Sequence, residues 1–396
     1  MVGGAERLLQ SVSERLVERG HEVSVVTFDC ATQLDFWSSK PAGLPRRETI
    51  NGVQVIRLPT APGRLQHMFE WWLQRRGGWR TAGWIVGMDD WALIGPSGIN
   101  MLLPIATLRA DVVTAINWCY PAMYWACLPR TLRRVPRVGV PIFHVECDWV
   151  SSPHYDRMLR NCDASIVSTE AERDFVRARG GRSVAIAGAG ADPARFEQRD
   201  GARIRKQYGI GTRPVVGFVG RQDKLKGAAT LIEAMRIVWR DRPNVVLLMA
   251  GQSAHRDAAV SRELDALSDC DRAKLVLIDD FADADGPSII DACDMVAMPS
   301  VEESFGIVFV EAWMCGKPVI GGDIASTRCV IDRGVDGWTA TPFDPKDLAR
   351  KIFDLLDDPD KRAWFGERGR EKALSRYTWE RVTDVWETTL TAAAGA

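Results

Sequence analysis

Two doubly wound α/β domains facing each other are the fold class this sequence predicts, and three observations lead to it. Short apolar runs alternate with helical periodicities along nearly the whole chain, the pattern of strand and helix units built around parallel sheets. The runs end in small or polar turns, as strands do where a parallel sheet turns its carboxyl edge towards a ligand cleft. The chain has 396 residues, of which 46 % are hydrophobic, enough for a full core in each of two domains.

In order, residues 3–7 (Gly3-Gly4-Ala5-Glu6-Arg7) read as a glycine turn opening a helix. Leu8, Leu9, Val12, Leu16 and Val17 lie at helical spacing up to Arg19-Gly20. A turn of this kind follows a strand; only Met1 and Val2 stand before it, so the first strand of the sheet is expected to be missing. Residues 22–28 form a buried strand, and Asn51-Gly52 leads into another at 53–58. Strands are expected at 111–116, ending at Asn117, and at 141–145, ending near Glu146-Cys147-Asp148; Asn117, His144, Cys147 and Asp148 therefore become candidates for the cleft on the acceptor side. Between them lie Trp71, Trp72, Trp79, Trp84, Trp91, Trp118 and Trp125, mixed with Arg75, Arg76, Arg80, Arg130, Arg133, Arg134 and Arg137. Core packing is the favoured reading of these tryptophans, with an acceptor pocket or a membrane-facing surface as the sharper alternative.

Strands at 163–168 and 183–187 complete an N-terminal domain, 1–192, and the polar stretch 193–213 reads as a linker. A second series fills 214–376, with strands at 215–219, 245–249, 275–278, 295–298, 319–320 and 338–341. Asp344 is an N-cap for the helix that follows. Residues 377–396 hold a last helix, with Val382, Val385, Trp386 and Leu390 as its apolar stripe, expected to pack back towards the first domain.

Composition narrows the function. Basic and acidic residues number 51 and 52, so the electrostatic footprint of a nucleic-acid binder is missing. Nine cysteines without a C-x-x-C pair indicate neither a disulfide framework nor a structural zinc site. No apolar run reaches the ~18 residues of a membrane span, and no signal-peptide pattern opens the chain. A cytoplasmic location is expected, peripheral at the inner membrane face at most.

The chemistry gathers in residues 298–318. A helix is expected from Ser304 to Gly316; Glu303 lies in the turn before it, and Glu311 about two turns inside. Unpaired N–H groups around Ser304, Phe305 and Gly306 make a helix N-terminus that favours an anion, and Gly306 allows close backbone approach. Arg221 and Lys226 stand five residues apart beyond a strand end in the same domain. A solvated basic loop is the ordinary explanation for such a pair. With the second anion site beside it, a diphosphate site is the sharper one. Glu311 sits among Val308, Val310, Ala312 and Trp313, where an unpartnered carboxylate is costly, so a hydrogen-bond donor such as a ribose hydroxyl is expected there.

These residues resemble a known family. Gly3-Gly4-Ala5-Glu6, Gly220-Arg221 with Lys226-Gly227, Pro299-Ser300, Glu303-Ser304-Phe305-Gly306 with Glu311-Ala312, and Gly316-Lys317-Pro318-Val319 look like the motifs of a retaining nucleotide-sugar glycosyltransferase of family 4, the group 1 type. The resemblance covers nearly the whole chain and implies the GT-B fold of two facing Rossmann-like domains. It implies that Arg221 and Lys226 neutralise the diphosphate leaving group, that Glu303 holds the donor sugar and that Glu311 binds the nucleotide ribose. Gly3, Gly4, Ser304, Phe305 and Gly306 would line the donor. It implies no cofactor and no metal, so Asp283-Ala284-Asp285 is expected to be an exposed loop. A hexosyl group would pass from a nucleoside-diphosphate sugar to a hydroxyl of a glycan, lipid-linked or small-molecule acceptor, and possible membrane contact would be peripheral. The His-Asp pair of the family reads here as Cys147-Asp148. A non-catalytic nucleotide-binding protein of the same fold and a sugar-nucleotide epimerase are the alternatives.

Overall fold

The computed structural model describes residues 3–31, 40–59, 104, 107–117, 135–151, 153–251, 256–279 and 281–395. The seven tryptophans between Trp71 and Trp125, and every arginine named with them except Arg137, lie outside the described residues.

The strands are β1 (Ser24–Phe28), β2 (Arg47–Ile50), β3 (Val53–Leu58), β4 (Val113–Ile116), β5 (Arg137–Val140), β6 (Ala164–Val167) and β7 (Val184–Ile186) in the first half. In the second half they are β8 (Val215–Val219), β9 (Val246–Ala250), β10 (Leu275–Ile278), β11 (Met295–Met298), β12 (Val319–Gly322) and β13 (Gly337–Ala340). The second half forms one six-stranded sheet in the order β10-β9-β8-β11-β12-β13, every pairing parallel. β8 and β11 start the two windings of that sheet side by side, so the loops after them open at the topological switch point, where doubly wound sheets bind ligands. β8, β9 and β11 are buried at every position, which explains why they read as continuous apolar runs rather than alternations. The Ala228–Asp241 helix covers one face with Leu231, Ile232, Met235 and Val238.

In the first half β4-β5-β6-β7 make a parallel sheet, and β1-β3-β2 a smaller one. β2 was not anticipated: it pairs antiparallel with β3 across Asn51 and Gly52, whose φ of 48° and 82° suit a two-residue hairpin turn. Its four residues are all exposed and carry no apolar alternation that could reveal a strand. The glycine turn opens the Gly4–Glu18 helix, which buries Leu8, Val12 and Leu16.

The stretch 193–213 is not a plain linker. Asp192 and Asp200 cap two short helices, Pro193–Glu197 and Gly201–Gln207, which bury Phe196 and Ile204. The Gly201 N–H donates to Asp291 Oδ2 at 2.9 Å and Arg205 pairs with Asp294 at 2.9 Å, so the stretch is fastened to the second sheet's layer. Its polarity misled because Arg195, Arg199, Arg203 and Arg205 are ion partners at its surface, with Phe196, Ile204 and Ile210 as apolar anchors beneath. The helix Pro359–Arg376 was also missed; its stripe is thin, with only Phe365, Gly366, Gly369 and Ala373 buried. The last helix, Trp379–Ala394, lies against the first one: Arg19 pairs with Glu387 at 2.6 Å and Asp384 at 2.8 Å, and His21 with Glu387 at 2.7 Å. Thr378, just before it, bridges to Ala191.

Candidate functional site

The loop after β8 is shaped by Gly227, the N-cap of the Ala228–Asp241 helix, whose φ of +74° is left-handed. A Cβ there would lie 2.2 Å from the carbonyl oxygen of Pro299, so only glycine lets this loop rest on the loop after β11. The Val301 N–H donates to the Leu225 carbonyl at 2.9 Å and joins the two loops. The result is an ion pair between Lys226 Nζ and Glu303 Oε2 at 2.7 Å, with the two side chains 14 % and 12 % exposed. Burial alone would raise the Glu303 carboxyl; Lys226, with His144 and the Ser304 N–H adding to it, brings it below the usual carboxylate range. Glu303 is therefore an ionised acceptor. Arg221 stands at the rim, 38 % exposed, its Nε 3.4 Å from Asp223 Oδ2.

The helix after β11 begins later than expected, as Ile307–Met314, and residues 302–306 form a turn ahead of it. Gly306 is its N-cap at φ +89°; a Cβ there would meet the Phe309 ring at 2.4 Å. The Gly306 N-cap makes no side-chain cap hydrogen bond to the first N–H groups of the helix. Phe305 is pinned by Tyr377, ring to ring at 5.3 Å, and by the close approach of Gly188. Glu311 is consequently the fifth residue of the helix, about one turn in rather than two. Its partner here is Arg7, from the first helix of the other half. Burial raises the Glu311 carboxyl in spite of Arg7. Arg7 also bonds Asp283, which in turn meets Arg195 at 2.8 Å, so Asp283-Ala284-Asp285 is a 3-10 turn within an ion network rather than a plain loop. Gly4 faces the same place: a Cβ on it would come within 3.9 Å of Ile307 Cγ2. Two helix N-termini, one from each half, thus open onto one cleft, with Gly3 the N-cap of the first.

The opposite rim carries the acceptor-side candidates. The strand expected at 141–145 ends instead at Val140, because Ile142 adopts φ +55°, out of reach of a β ladder. The fully buried Glu172 holds the redirected chain: its carboxylate accepts from the N–H groups of Phe143 and Ser168, both at 2.7 Å. Burial pushes Glu172 up to about 7. The loop so formed presents His144 and the buried Cys147, whose N–H donates to the His144 carbonyl at 3.0 Å; Asp148 opens the turn Asp148–Ser151. His144 Nδ1 lies 3.6 Å from Glu302 Oε2, and His144 foremost holds Glu302 below the ordinary carboxylate range. Asn117, after β4, has φ +61° and its N–H donates to the Val140 carbonyl at 2.9 Å, which places it beside the same strand end.

Arg7, Glu302, Glu146 and Tyr377 were not anticipated. Arg7 sits one turn into a glycine-opened helix and Glu302 beside Glu303, positions that a reading of each helix mouth could have flagged. Glu146 accepts from the Ser326 N–H at 3.3 Å and hydroxyl at 3.1 Å across the cleft, and no local pattern announces it. Chemically the assembly offers three cations, Arg7, Arg221 and Lys226, with two helix N-termini and ionised carboxylates around one space. It can hold a diphosphate and the hydroxyls of a sugar.

Comparison with known proteins bears on this cleft. The family profile described as glycosyl transferases group 1 matches residues 200–372, and that of the glycosyl transferase 4-like domain matches residues 3–187. A D-inositol 3-phosphate glycosyltransferase of Segniliparus rotundus is 28 % identical over 403 residues, covering 96 % of this chain and 83 % of that protein. Its counterpart in Corynebacterium kroppenstedtii is 30 % identical over 246 residues, or 58 % and 54 % of the two chains; another, in Corynebacterium urealyticum, is matched over 56 % of its length. The chain thus spans about half the length of these two curated relatives. Among solved structures, HepE of Anabaena in complex with UDP-glucose superposes with a TM-score of 0.73 at 20 % identity, over 99 % of this chain and 97 % of that one. Sucrose-phosphate synthase of Thermosynechococcus elongatus gives 0.72 at 19 % identity, over 99 % and 94 %. The fold is that of these proteins, two Rossmann-like domains in the GT-B arrangement. With the two profiles running along nearly all of its length, the chain belongs to the group 1 glycosyltransferases.

Proposed function

We propose that this chain is a retaining hexosyltransferase that moves a sugar from a nucleoside diphosphate to an acceptor hydroxyl without a metal. The observation that carries the reading is the Lys226–Glu303 pair at 2.7 Å, set between two glycine-capped helix mouths. Departure of a nucleoside diphosphate gathers negative charge on the β-phosphate, and Lys226, Arg221 and the N–H groups following Gly306 are fixed where that charge develops. Because they are already in place, little reorganisation accompanies the step. Glu303, ionised beside Lys226, accepts hydroxyls of the donor sugar, and the N–H groups of Phe305 and Gly306 add donors to sugar or phosphate.

Glu311 binds the ribose in this reading, so a nucleotide has to take it over from Arg7. The Arg7 guanidinium then lies within reach of the diphosphate, a role suited to its planar fork. Gly3 and Gly4 place no side chain of their own at the first helix's N-terminus, where the same anion would approach beside Glu6. His144, Cys147, Asp148 and Asn117 face the acceptor side. Retention is expected from attack on the face the leaving group vacates, with the leaving phosphate helping to take the acceptor's proton. A sugar-type acceptor fits the names of the relatives; a lipid-linked acceptor, and with it a peripheral membrane contact, is a further part of the proposal.

A thermal-shift screen against UDP, GDP and ADP and their sugars tests the donor half, since a ligand of the folded state raises its melting temperature by mass action. One diphosphate series should stand out. No shift with any of them, at millimolar ligand, would remove the basis of the assignment.

A further inference from the structure

We propose that His144, Cys147 and Glu302 form a binding site for one borderline-soft divalent cation, zinc by chemical class, bridging the two walls of the cleft. Imidazole nitrogen, thiol sulfur and carboxylate oxygen lie within 4.8 Å of one another, the one such trio among the described residues. His144 and Cys147 come from the redirected loop after β5, three positions apart on a turn closed by the 3.0 Å bond between the Cys147 N–H and the His144 carbonyl. Glu302 comes from the loop after β11, on the other wall.

His144 and Glu302 stand at ion-pair distance, 3.6 Å, longer than the roughly 3.2 Å of a direct hydrogen bond. Two ligands of a tetrahedral ion, each about 2.0–2.1 Å from the metal, stand about 3.3–3.4 Å apart, close to what is found. A thiolate at about 2.3 Å completes three corners and leaves the fourth for water. The set is one nitrogen, one sulfur and one oxygen, which favours zinc or cobalt over magnesium or calcium. Burial supports the same choice. Cys147 is 8 % exposed, while the side chains of His144 and Glu302 are 27 % and 29 % exposed, so the sulfur lies deep and the other two ligands close over it from the entrance. A bound ion would tie residues 141–147 to residues 299–305 and hold the cleft shut next to Glu303. The ion takes no part in the chemistry of the transfer proposed above; through His144 and Cys147, two of its acceptor-side residues, it acts on the opening of the cleft.

The test needs no sugar donor, so its failure and that of the transferase reading are separable. Reduced, metal-free protein is titrated with Co2+, following the near-ultraviolet thiolate-to-cobalt charge-transfer band, and then with Zn2+, following displacement of that band and the melting temperature. One equivalent is expected to give the band, and zinc to remove it and raise the melting temperature. Cys147→Ser should abolish the band; Glu302→Gln, at a half-buried position, should keep it with affinity weaker by at least the about tenfold that loss of an outer-shell partner costs. His144→Ala should weaken binding to the same degree. The proposal is overturned if the band survives in Cys147→Ser, which would assign it to another cysteine, or if Glu302→Gln binds Co2+ as the unaltered protein does.

Discussion

Removing Lys226 should expose how much of the site is held by one buried charge pair. In Lys226→Met the Glu303 carboxylate loses its 2.7 Å partner while remaining only 12 % exposed. At an effective dielectric constant of about 20 the attraction at that distance is worth about 6 kcal/mol, most of it offset by the desolvation both groups have already undergone. Breaking such a pair from one side costs about 3–5 kcal/mol; the slight exposure of both groups places this one near the lower figure, about 3 kcal/mol. Glu303→Gln leaves the ammonium stranded and should cost a similar amount. The double variant, with two uncharged groups of nearly the original size, should be less damaged than the sum, with a coupling of about 2 kcal/mol. Urea unfolding of the four proteins, followed by far-ultraviolet circular dichroism, reads the cycle. Additive losses within about 0.5 kcal/mol would show that the pair is not formed in solution and would refute the geometry on which the donor site is built.

Gly227→Ala tests the close contact of the two loops: with φ +74° and a Cβ 2.2 Å from the Pro299 oxygen, it should destabilise by about 2 kcal/mol or more and weaken nucleotide binding, whereas an unchanged melting temperature would mean that the loops are not in contact. Glu172 supplies a pH dependence. Its folded value of about 7 lies above the 4.5 of an ordinary glutamate, so its contribution is fully present below about pH 4.5 and is lost as pH rises through about 7. That difference corresponds to a few kcal/mol, on the order of 3. Glu172→Gln, although less stable because one of two backbone N–H groups loses its acceptor, should flatten that segment of the stability profile, and an unaltered slope would contradict the assignment.

The second half of the chain was largely legible and the first only in part, for physical reasons that specific residues show. Strands buried on both faces, such as β8 and β9, announce themselves as apolar runs between turn residues, and Asp344 marked its helix because an acceptor there satisfies the Lys346 and Asp347 N–H groups. Glu303 and Lys226 were recognisable because each sits at a strand end in a short motif. What could not be read was anything decided by contacts between distant segments. The end of β5 depends on Glu172, 29 positions beyond the Phe143 N–H that it accepts, and the partner of Glu311 is Arg7, 304 positions away. The apolar run 141–145 looks like a strand locally; only the left-handed Ile142 ends it. Likewise the helix at Ile307 starts late because Gly306 uses its freedom for a turn, where an anion-binding pattern alone places the start at Ser304.

The central claim, that Arg221, Lys226 and the glycine-capped helix mouths hold a diphosphate, is tested most directly by calorimetric titration of nucleoside diphosphate and monophosphate into the unaltered protein and Arg221→Ala. Arg221 is 38 % exposed with its Nε 3.4 Å from Asp223 Oδ2, and Asp223 keeps the Lys226 N–H as a donor at 2.8 Å, so the fold should be kept. The account predicts that the diphosphate binds more tightly than the monophosphate of the same base and that Arg221→Ala lowers the diphosphate affinity about tenfold, as expected for about 1.4 kcal/mol of charge-assisted hydrogen bonding, with little effect on the monophosphate. Equal affinities for the two nucleotides, or a diphosphate affinity untouched by Arg221→Ala, would contradict it.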